Sequence, residues 1–348
     1  MSGADGRRVL TVNAGSTSLK LAVVEPDGSA TSYEALDEAL AGPSPDAVAH
    51  RVVHGGERRT SVVVDDAVVE ELRGLTALAP LHQPPALEAL AAVRGALPDV
   101  PHVACFDTAF HATVPAAATT YALPERLRHK VRSYGFHGLS HAWASAQVRD
   151  RVPGARRVLV AHLGGGASLC AVLDGASVAT TMGFTPMDGL VMATRTGRID
   201  PGAVLWLAEN TDEDLPRVLA RESGLLGLAG TADMREVLSR RGAGDPEATL
   251  ALDVYLHRFA AEAAGMAAAL AGLDVVVLTG GVGEGGPLVQ SLLVERLAWL
   301  GVRMDEHAPG SDEGGVQDVT AEGSTARVLV VHAREDLQMV REVAAALG

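Results

Sequence analysis

Three glycine-rich turns follow apolar runs in this chain: NAGSTS at residues 13–18, HLGGGAS at 162–168 and TGGVGE at 279–284. Glycine lets successive backbone N–H groups close around an anion, and Ser and Thr add hydroxyl donors. Lys20, just past the first turn, supplies a positive charge. Each turn alone is as easily an ordinary turn; three together favour phosphate. The phosphate-loop lysine motif and GxGxxG do not occur in their proper contexts, so the pattern points to a different phosphate-binding design. A second group of polar residues interrupts apolar segments: Arg51 and His54 in HRVVHGG, His82, Asp107 and His111 in FDTAFH, His137 and His141 in YGFHGLSH, and Arg195 in TRTG. Arginine and histidine can clamp a phosphoryl group in transfer, while a carboxylate orients a nucleophile or binds Mg²⁺. A histidine taken singly is more often structural, and His54, His111 and His141 are assigned to that role. The short ligand spacings of a zinc site are absent.

The elements that must position these residues are legible as alternating strands and helices. Strands are expected at residues 9–12, 19–24 and 48–53, and in PHVACF, with helices at 65–78 and 86–97 and a break at Pro84 and Pro85. Short helices at 124–129 and 140–148 flank the YGFHG turn. RRVLVAHLGGGASLCAVLDG then repeats the opening plan of apolar run, glycine turn, apolar run and Asp-Gly turn, which suggests an internal duplication. Helices are expected at 201–209, 214–223, 246–270 and 288–300, a strand in VVVLTGG, a last strand at 327–331 and a final helix at 335–347. Strands alternating with helices, with polar residues gathered at strand ends, argue for α/β domains that bind ligands at those ends.

The 348 residues suffice for two domains. With 43 acidic against 29 basic residues the net charge is −14, which argues against nucleic acid or an anionic membrane as partner. Cys105 and Cys170 lie in apolar or small-residue stretches and read as buried free thiols. No secretory or membrane-spanning segment is recognised, so the cytoplasm is expected.

The blocks VLTVNAGSTSLKLAVVE, HRVVHGGE, APLHQPPAL, FDTAFHATVP, YGFHGLSH, HLGGGASL, MGFTPMDGLVMATRTGRIDPG, SGLLGLAG, TGGVGE and REDL, in this order, resemble the acetate and propionate kinase (acetokinase) family. That family lies within the sugar kinase, Hsp70 and actin superfamily. The resemblance implies a duplicated RNase-H-like ATPase fold of two domains with an active-site cleft between them. The expected division is 1–150, 151–330 with the nucleotide, and a terminal segment 331–348 packing back on the first domain. It also implies reversible phosphoryl transfer from ATP to acetate, giving acetyl phosphate and ADP, with propionate as a weaker substrate. On this chain it assigns Arg51, Asp107, His137 and Arg195 to catalysis and His82 to their support. Val53, Leu81, Phe136 and Pro186 would line the alkyl pocket. Ser16, Ser18 and Lys20 match the first phosphate loop, and Gly164, Gly165 and Gly166, beside His162, the second. Asp233, Met234 and Arg235 match the nucleoside side, and Gly281, Gly283 and Glu284 the C-terminal nucleotide loop. Asn13 and Glu335 would face Mg²⁺, with Mn²⁺ as the alternative ion. A homodimer is implied as well.

The chain departs from the family pattern in a shortened segment before HRVVHGG, and in Gly165 and Gly285 where the family carries Asn. Arg198 stands in TRTGRID where the family has Asp, reversing a charge. These changes leave pyrophosphate as an alternative donor, and another short-chain carboxylate is the alternative acceptor. Retention of Asp233, Arg235 and TGGVGE favours ATP. A non-catalytic nucleotide-binding protein is the alternative of another class, and an actin-like filament is remote.

Overall fold

The structure is a computed structural model that describes residues 6–14, 19–79, 82–311 and 315–348. The chain divides into two compact units. The first takes the chain up to Thr113, then Phe136–Trp143 and Arg334–Gly348; the second comprises Val114–Gly135 and Ala144–Ala333. The units are thus not the contiguous spans drawn from sequence: the chain leaves the first unit, re-enters it briefly around the YGFHG turn and returns to it at the end.

Among the described residues of the first unit, six strands form one sheet: β1 (Val9–Ala14), β2 (Leu19–Val24), β3 (Ala30–Tyr33), β4 (Ala47–Val52), β5 (Val62–Val63) and β6 (His102–Phe106), in the order β3-β2-β1-β4-β6-β5. The second unit has β7 (Arg157–Leu163), β8 (Ala167–Leu173), β9 (Ala176–Thr180), β10 (Val275–Thr279), β11 (Val316–Asp318) and β12 (Arg327–Val331), in the order β9-β8-β7-β10-β12-β11. The two orders are the same plan. In each, an antiparallel three-strand meander is followed by two parallel additions and an antiparallel edge. The duplication read from the glycine turns is therefore carried by the whole topology.

Why the strands hold is plain from their composition. β6 (HVACF) and β10 (VVVLT) are buried throughout, as parallel central strands covered on both faces should be. The C-terminal helix Glu335–Leu347 sets Met339, Val340 and Val343 against Val9, Val24, Ala47 and Val103 of the first sheet. On another cluster of the same unit, Leu10, Val12, Leu21 and Val48 pack with Val93 of the helix Gln83–Ala96. In the second unit the helix Pro246–Ala269 is capped by Asp245, which accepts from the N–H groups of Glu247 and Ala248. Its stripe of Leu252, Tyr255, Leu256, Phe259 and Ala263 is buried at helical spacing.

Three local expectations are corrected. Pro84 and Pro85 do not break the chain; they occupy the first turn of the helix Gln83–Ala96, where no intrahelical N–H bond is lost. The expected helix at 214–223 is a short turn, Leu215–Arg217, continued by a wider π-type turn, Val218–Glu222, whose Val218 carbonyl accepts from Ser223 Oγ. The helix expected at 288–300 ends at Glu295 and resumes as a single turn, Ala298–Leu300. Cys105 and Cys170 are buried free thiols, as expected. Burial pushes the Cys170 thiol up to about 12 and Cys105 higher still, so neither is a nucleophile at neutral pH. No helix among the described residues is long and apolar enough to cross a membrane.

The first unit also buries neutral histidines. His102 Nε2 lies 3.0 Å from the Leu97 carbonyl and must donate to it, so its Nδ1 accepts from His50 Nε2 at 2.9 Å. His54 Nδ1 accepts from the Gly56 N–H at 3.0 Å, and His111 Nε2 donates to the Phe136 carbonyl at 2.9 Å. Burial lowers His50 to about 3, and His54 and His111 to about 4. Below the ordinary histidine pKa of about 6.5 the unfolded chain takes up protons that these sites refuse, so stability present above that pH is lost as pH falls toward 4. Each such histidine contributes up to about 1.4 kcal/mol per pH unit in this window. Urea unfolding at pH 7, 6 and 5 should show the first unit losing stability steeply below pH 6.5, and a flat profile across that range would contradict neutral burial.

Candidate active site

Adjacent parallel strands bring the first unit's polar residues together. β1 and β4 pair with Asn13 opposite Arg51, and Asp107 is the first residue after β6, its N–H bonded to the Val52 carbonyl at 3.3 Å. Arg51 donates from Nε to Asp107 Oδ1 at 3.0 Å and from Nη2 to Oδ2 at 2.7 Å, a bidentate fork. Its Nη1 donates to Asn13 Oδ1 at 3.2 Å and lies 3.4 Å from Glu335 Oε2, which also accepts from Asn13 Nδ2 at 3.2 Å. Glu335 opens the helix Glu335–Leu347, so the apolar packing of that helix delivers the second carboxylate. The Asp107 side chain is only 2% exposed and that of Arg51 17%. Burial alone would pull the Arg51 pKa down, but the carboxylates of Asp107 and Glu335 outweigh it and raise it, so the guanidinium stays charged. For Asp107, burial and the neighbouring Glu335 push the pKa up, and Arg51 with the His137 N–H offsets part of that rise.

The YGFHGLSH segment places His137 against this pair under tight steric constraint. His137 has φ 58°, a left-handed conformation rare outside glycine, and its carbonyl accepts from the His141 N–H. The next residue must be glycine: Gly138 donates to the Asp107 carbonyl at 2.9 Å, and a Cβ there would lie 2.1 Å from the same oxygen. His111 bonds the Phe136 carbonyl, and the His54 and Phe136 rings meet edge to face. These two histidines build the turn, as assigned. Val53 and Phe136 are both buried. His82 directly precedes the helix Gln83–Ala96, and Lys20 is an exposed residue of β2 opposite Asn13. Ser16, Ser18 and Leu81 lie outside the described residues.

Sequence reasoning missed Gln83 and Thr108, both buried. Gln83 spans the HGG turn, accepting from the His54 N–H and donating to the His54 carbonyl, and Thr108 Oγ1 accepts from Gly55 N–H. The available signal was position: both sit inside the HQPP and FDTAFH blocks, next to residues that were singled out.

In the second unit two glycine turns meet. A Cβ on Gly164 would lie 3.8 Å from both the Gly281 nitrogen and His162 Nε2, so the 164–166 turn, the turn after β10 and His162 are neighbours. Gly280 has φ 81°, and a side chain there would strike the Leu163 carbonyl at 2.7 Å. Glu284 braces the third turn: its carboxylate accepts from the Gly280 and Ala333 N–H groups at 2.8 and 3.0 Å and pairs with His332. Gly283 is tied through its carbonyl to Gln290. The Gly165 carbonyl accepts from Ala193 N–H, and a Cβ at Gly165 would meet nothing within 4 Å, so glycine is not sterically required there. Gly166 returns a bond from its carbonyl to the Gly164 N–H. Arg195 donates from Nη1 to the Pro186 carbonyl at 2.7 Å. Asp233 caps the helix Met234–Gly242, accepting from the Arg235 N–H, while the exposed Arg235 guanidinium folds back on the same carboxylate; Met234 is buried.

Among the described residues, no three His, Cys, Asp or Glu side chains form a metal cluster. Asn13 and Glu335 offer one amide oxygen and one carboxylate, a set that fits Mg²⁺ carried chiefly by phosphate oxygens and water.

Known proteins resemble this chain over most of its length. The sequence profile of the Acetokinase family matches residues 41–341. The acetate kinase of Clavibacter michiganensis subsp. michiganensis is 46% identical over 330 residues, covering 90% of this chain and 83% of the other. That of Rhodopseudomonas palustris is 44% identical over 306 residues, covering 85% and 76%. Among solved structures, a propionate kinase from Francisella tularensis superposes with a TM-score of 0.88 at 32% identity over 96% of this chain and 98% of that one. Acetate kinase from Entamoeba histolytica gives 0.87 at 28% identity over 97% and 99%. The repeated sheet plan is thus the duplicated actin-like ATPase fold of these enzymes, and the chain belongs to the acetokinase family.

Proposed function

We propose that this chain is an acetate kinase, moving a phosphoryl group reversibly between ATP and acetate to give acetyl phosphate and ADP, with propionate as a weaker acceptor. The observation that carries the reading is the buried Arg51 fork on Asp107, with His137 held beside it in a left-handed turn. Acetate is already a nucleophile at neutral pH. The barrier lies in bringing anions together, so fixed positive donors matter more than a base. Arg51 binds the acceptor carboxylate or the incoming phosphoryl oxygens, and Asp107 is a positioning residue that fixes the plane of the guanidinium. The His137 imidazole steadies the group in transfer, and Arg195 is assigned to its oxygens. Val53, Leu81, Phe136 and Pro186 enclose the acceptor's methyl group, with His82 in support. Added methylenes alter such recognition modestly, so propionate is disfavoured rather than excluded.

The phosphates of the donor are received by backbone N–H groups of the Gly164–Gly166 and Gly281–Gly283 turns with His162, and by Ser16, Ser18 and Lys20. Asp233, Met234 and Arg235 serve the nucleoside. Asn13 and Glu335 would hold Mg²⁺, which would supply charge neutralisation when bound. The enzyme works in the cytoplasm as a homodimer. Its dimer face includes the helix Pro201–Asn210, which buries none of its side chains within the chain and presents Leu205 and Trp206, the latter 60% exposed.

Purified chain should form acyl phosphate from acetate and Mg-ATP, faster than from propionate and faster than with GTP or pyrophosphate; no acyl phosphate with any pairing would overturn the reading. Arg195→Ala should lower kcat by about 10²–10³, as for loss of a preorganised donor, while the unfolding midpoint hardly moves. His137→Asn should behave likewise, because Asn tolerates the left-handed backbone and isolates the imidazole. Unchanged turnover in either would refute its role. Trp206→Glu should convert dimer to monomer in sedimentation, and an unaltered mass would place the dimer face elsewhere.

A further inference from the structure

Behind the Arg195 loop, within the second unit, lies a cavity of about 670 Å³, in the size range of small-molecule sites. One wall is the loop itself, through Thr196 and Arg198, with Glu222 and Ser223 beside it. The helix Pro246–Ala269 also lines it, through His257 and Arg258. Arg198 is the residue at which this chain reverses the charge of the family's TRSGDID pattern, and the catalytic reading gives it no task.

Two guanidinium groups of the lining share one carboxylate. Arg198 Nη1 and Arg258 Nη1 share one oxygen of Glu262, at 3.5 and 3.9 Å. Both distances are longer than a charge-assisted hydrogen bond of about 2.7–2.9 Å, so the two guanidinium groups keep donors for another acceptor. Glu222, also in the lining, pairs through one oxygen with Arg217 at 2.6 Å. Asp253 lines the same wall and limits the affinity.

The cavity is also joined rigidly to Arg195. The Ser223 N–H donates to the Thr194 carbonyl at 3.0 Å, Thr194 Oγ1 to the Ala220 carbonyl at 3.3 Å, and the Met192 N–H to the Arg195 carbonyl at 3.2 Å. A Cβ on Gly224, itself a lining residue, would lie 2.8 Å from the Arg195 carbonyl, so no slack separates the cavity from the backbone of Arg195.

We propose that this cavity is an effector site for a small multivalent anion, a di- or tricarboxylate or a phosphate, gripped by Arg198 and Arg258, and that its occupancy adjusts the backbone carrying Arg195. The ligand sets turnover by favouring one arrangement of the 192–198 loop over another, a coupling between two distinct sites. The binding half stands without the kinase reading; only the effect on turnover rests on it.

Calorimetry on the full chain, at constant ionic strength, tests it with citrate and inorganic phosphate as separate probes. Saturable binding of at least one probe is expected. Arg198→Asp and Arg258→Gln should each weaken it tenfold or more, and Asp253→Asn should tighten it several-fold. Which probe responds distinguishes a carboxylate from a phosphate source. Arg198→Asp should keep basal turnover, which shows that it folds, yet lose the change in kcat that the anion causes in the unaltered chain. No saturable binding, or binding untouched by Arg198→Asp and Arg258→Gln, overturns the site. Binding that needs Arg198 but leaves kcat unchanged overturns the coupling.

Discussion

A guanidinium withdrawn from water demands carboxylates close by, and the first unit is arranged around meeting that demand. Arg51 takes both oxygens of Asp107 and reaches Asn13 and Glu335 with its remaining arm. Removing one partner from such a buried pair costs about 3–5 kcal/mol, because the other charge is left stranded. The register of β1 on β4, the end of β6 and the docking of the C-terminal helix are all required for these four residues to meet. Electrostatic order and fold are therefore one constraint. The same pair fixes the plane of the guanidinium, the donor that the approach of two anions needs.

The repeated sheet plan explains why chemistry gathers where it does. In both units the parallel strands deliver polar residues at their carboxyl ends: Asp107 after β6, and the glycine turn after β10 beside the one after β7. The two copies have diverged in what they offer. The first carries side-chain charge, whereas the second carries backbone N–H groups braced by Glu284, whose carboxylate is spent on the Gly280 and Ala333 amides and on His332. Glu284 therefore stiffens the third glycine turn.

Much of this was readable from residues alone. The long apolar runs and the final helix were placed closely, because burial and period agree there. β3 and β9 were missed: ATSY and ASVAT are short and largely polar or small, as edge strands of a meander can be. The prolines at 84 and 85 misled because Pro marks both a break and a first helical turn, and only tertiary packing decides between them. At the site, residue types pointed to Arg51, Asp107 and His137, but not to their joining by Gly138, whose need shows only when a Cβ is set against the Asp107 carbonyl. Gln83 and Thr108 were illegible for a like reason: they bond backbone, which no motif reveals.

The central claim is that Arg51 and Asp107 act as one unit in binding and positioning anions. A double-mutant cycle with Arg51→Gln and Asp107→Asn, read on kcat/KM for acetate with unfolding measured in parallel, tests it most directly. The account expects Asp107→Asn to lose nearly as much kcat/KM as Arg51→Gln, with the double variant scarcely worse than either and a coupling energy of about 2 kcal/mol or more. Additive losses from the two substitutions would contradict it.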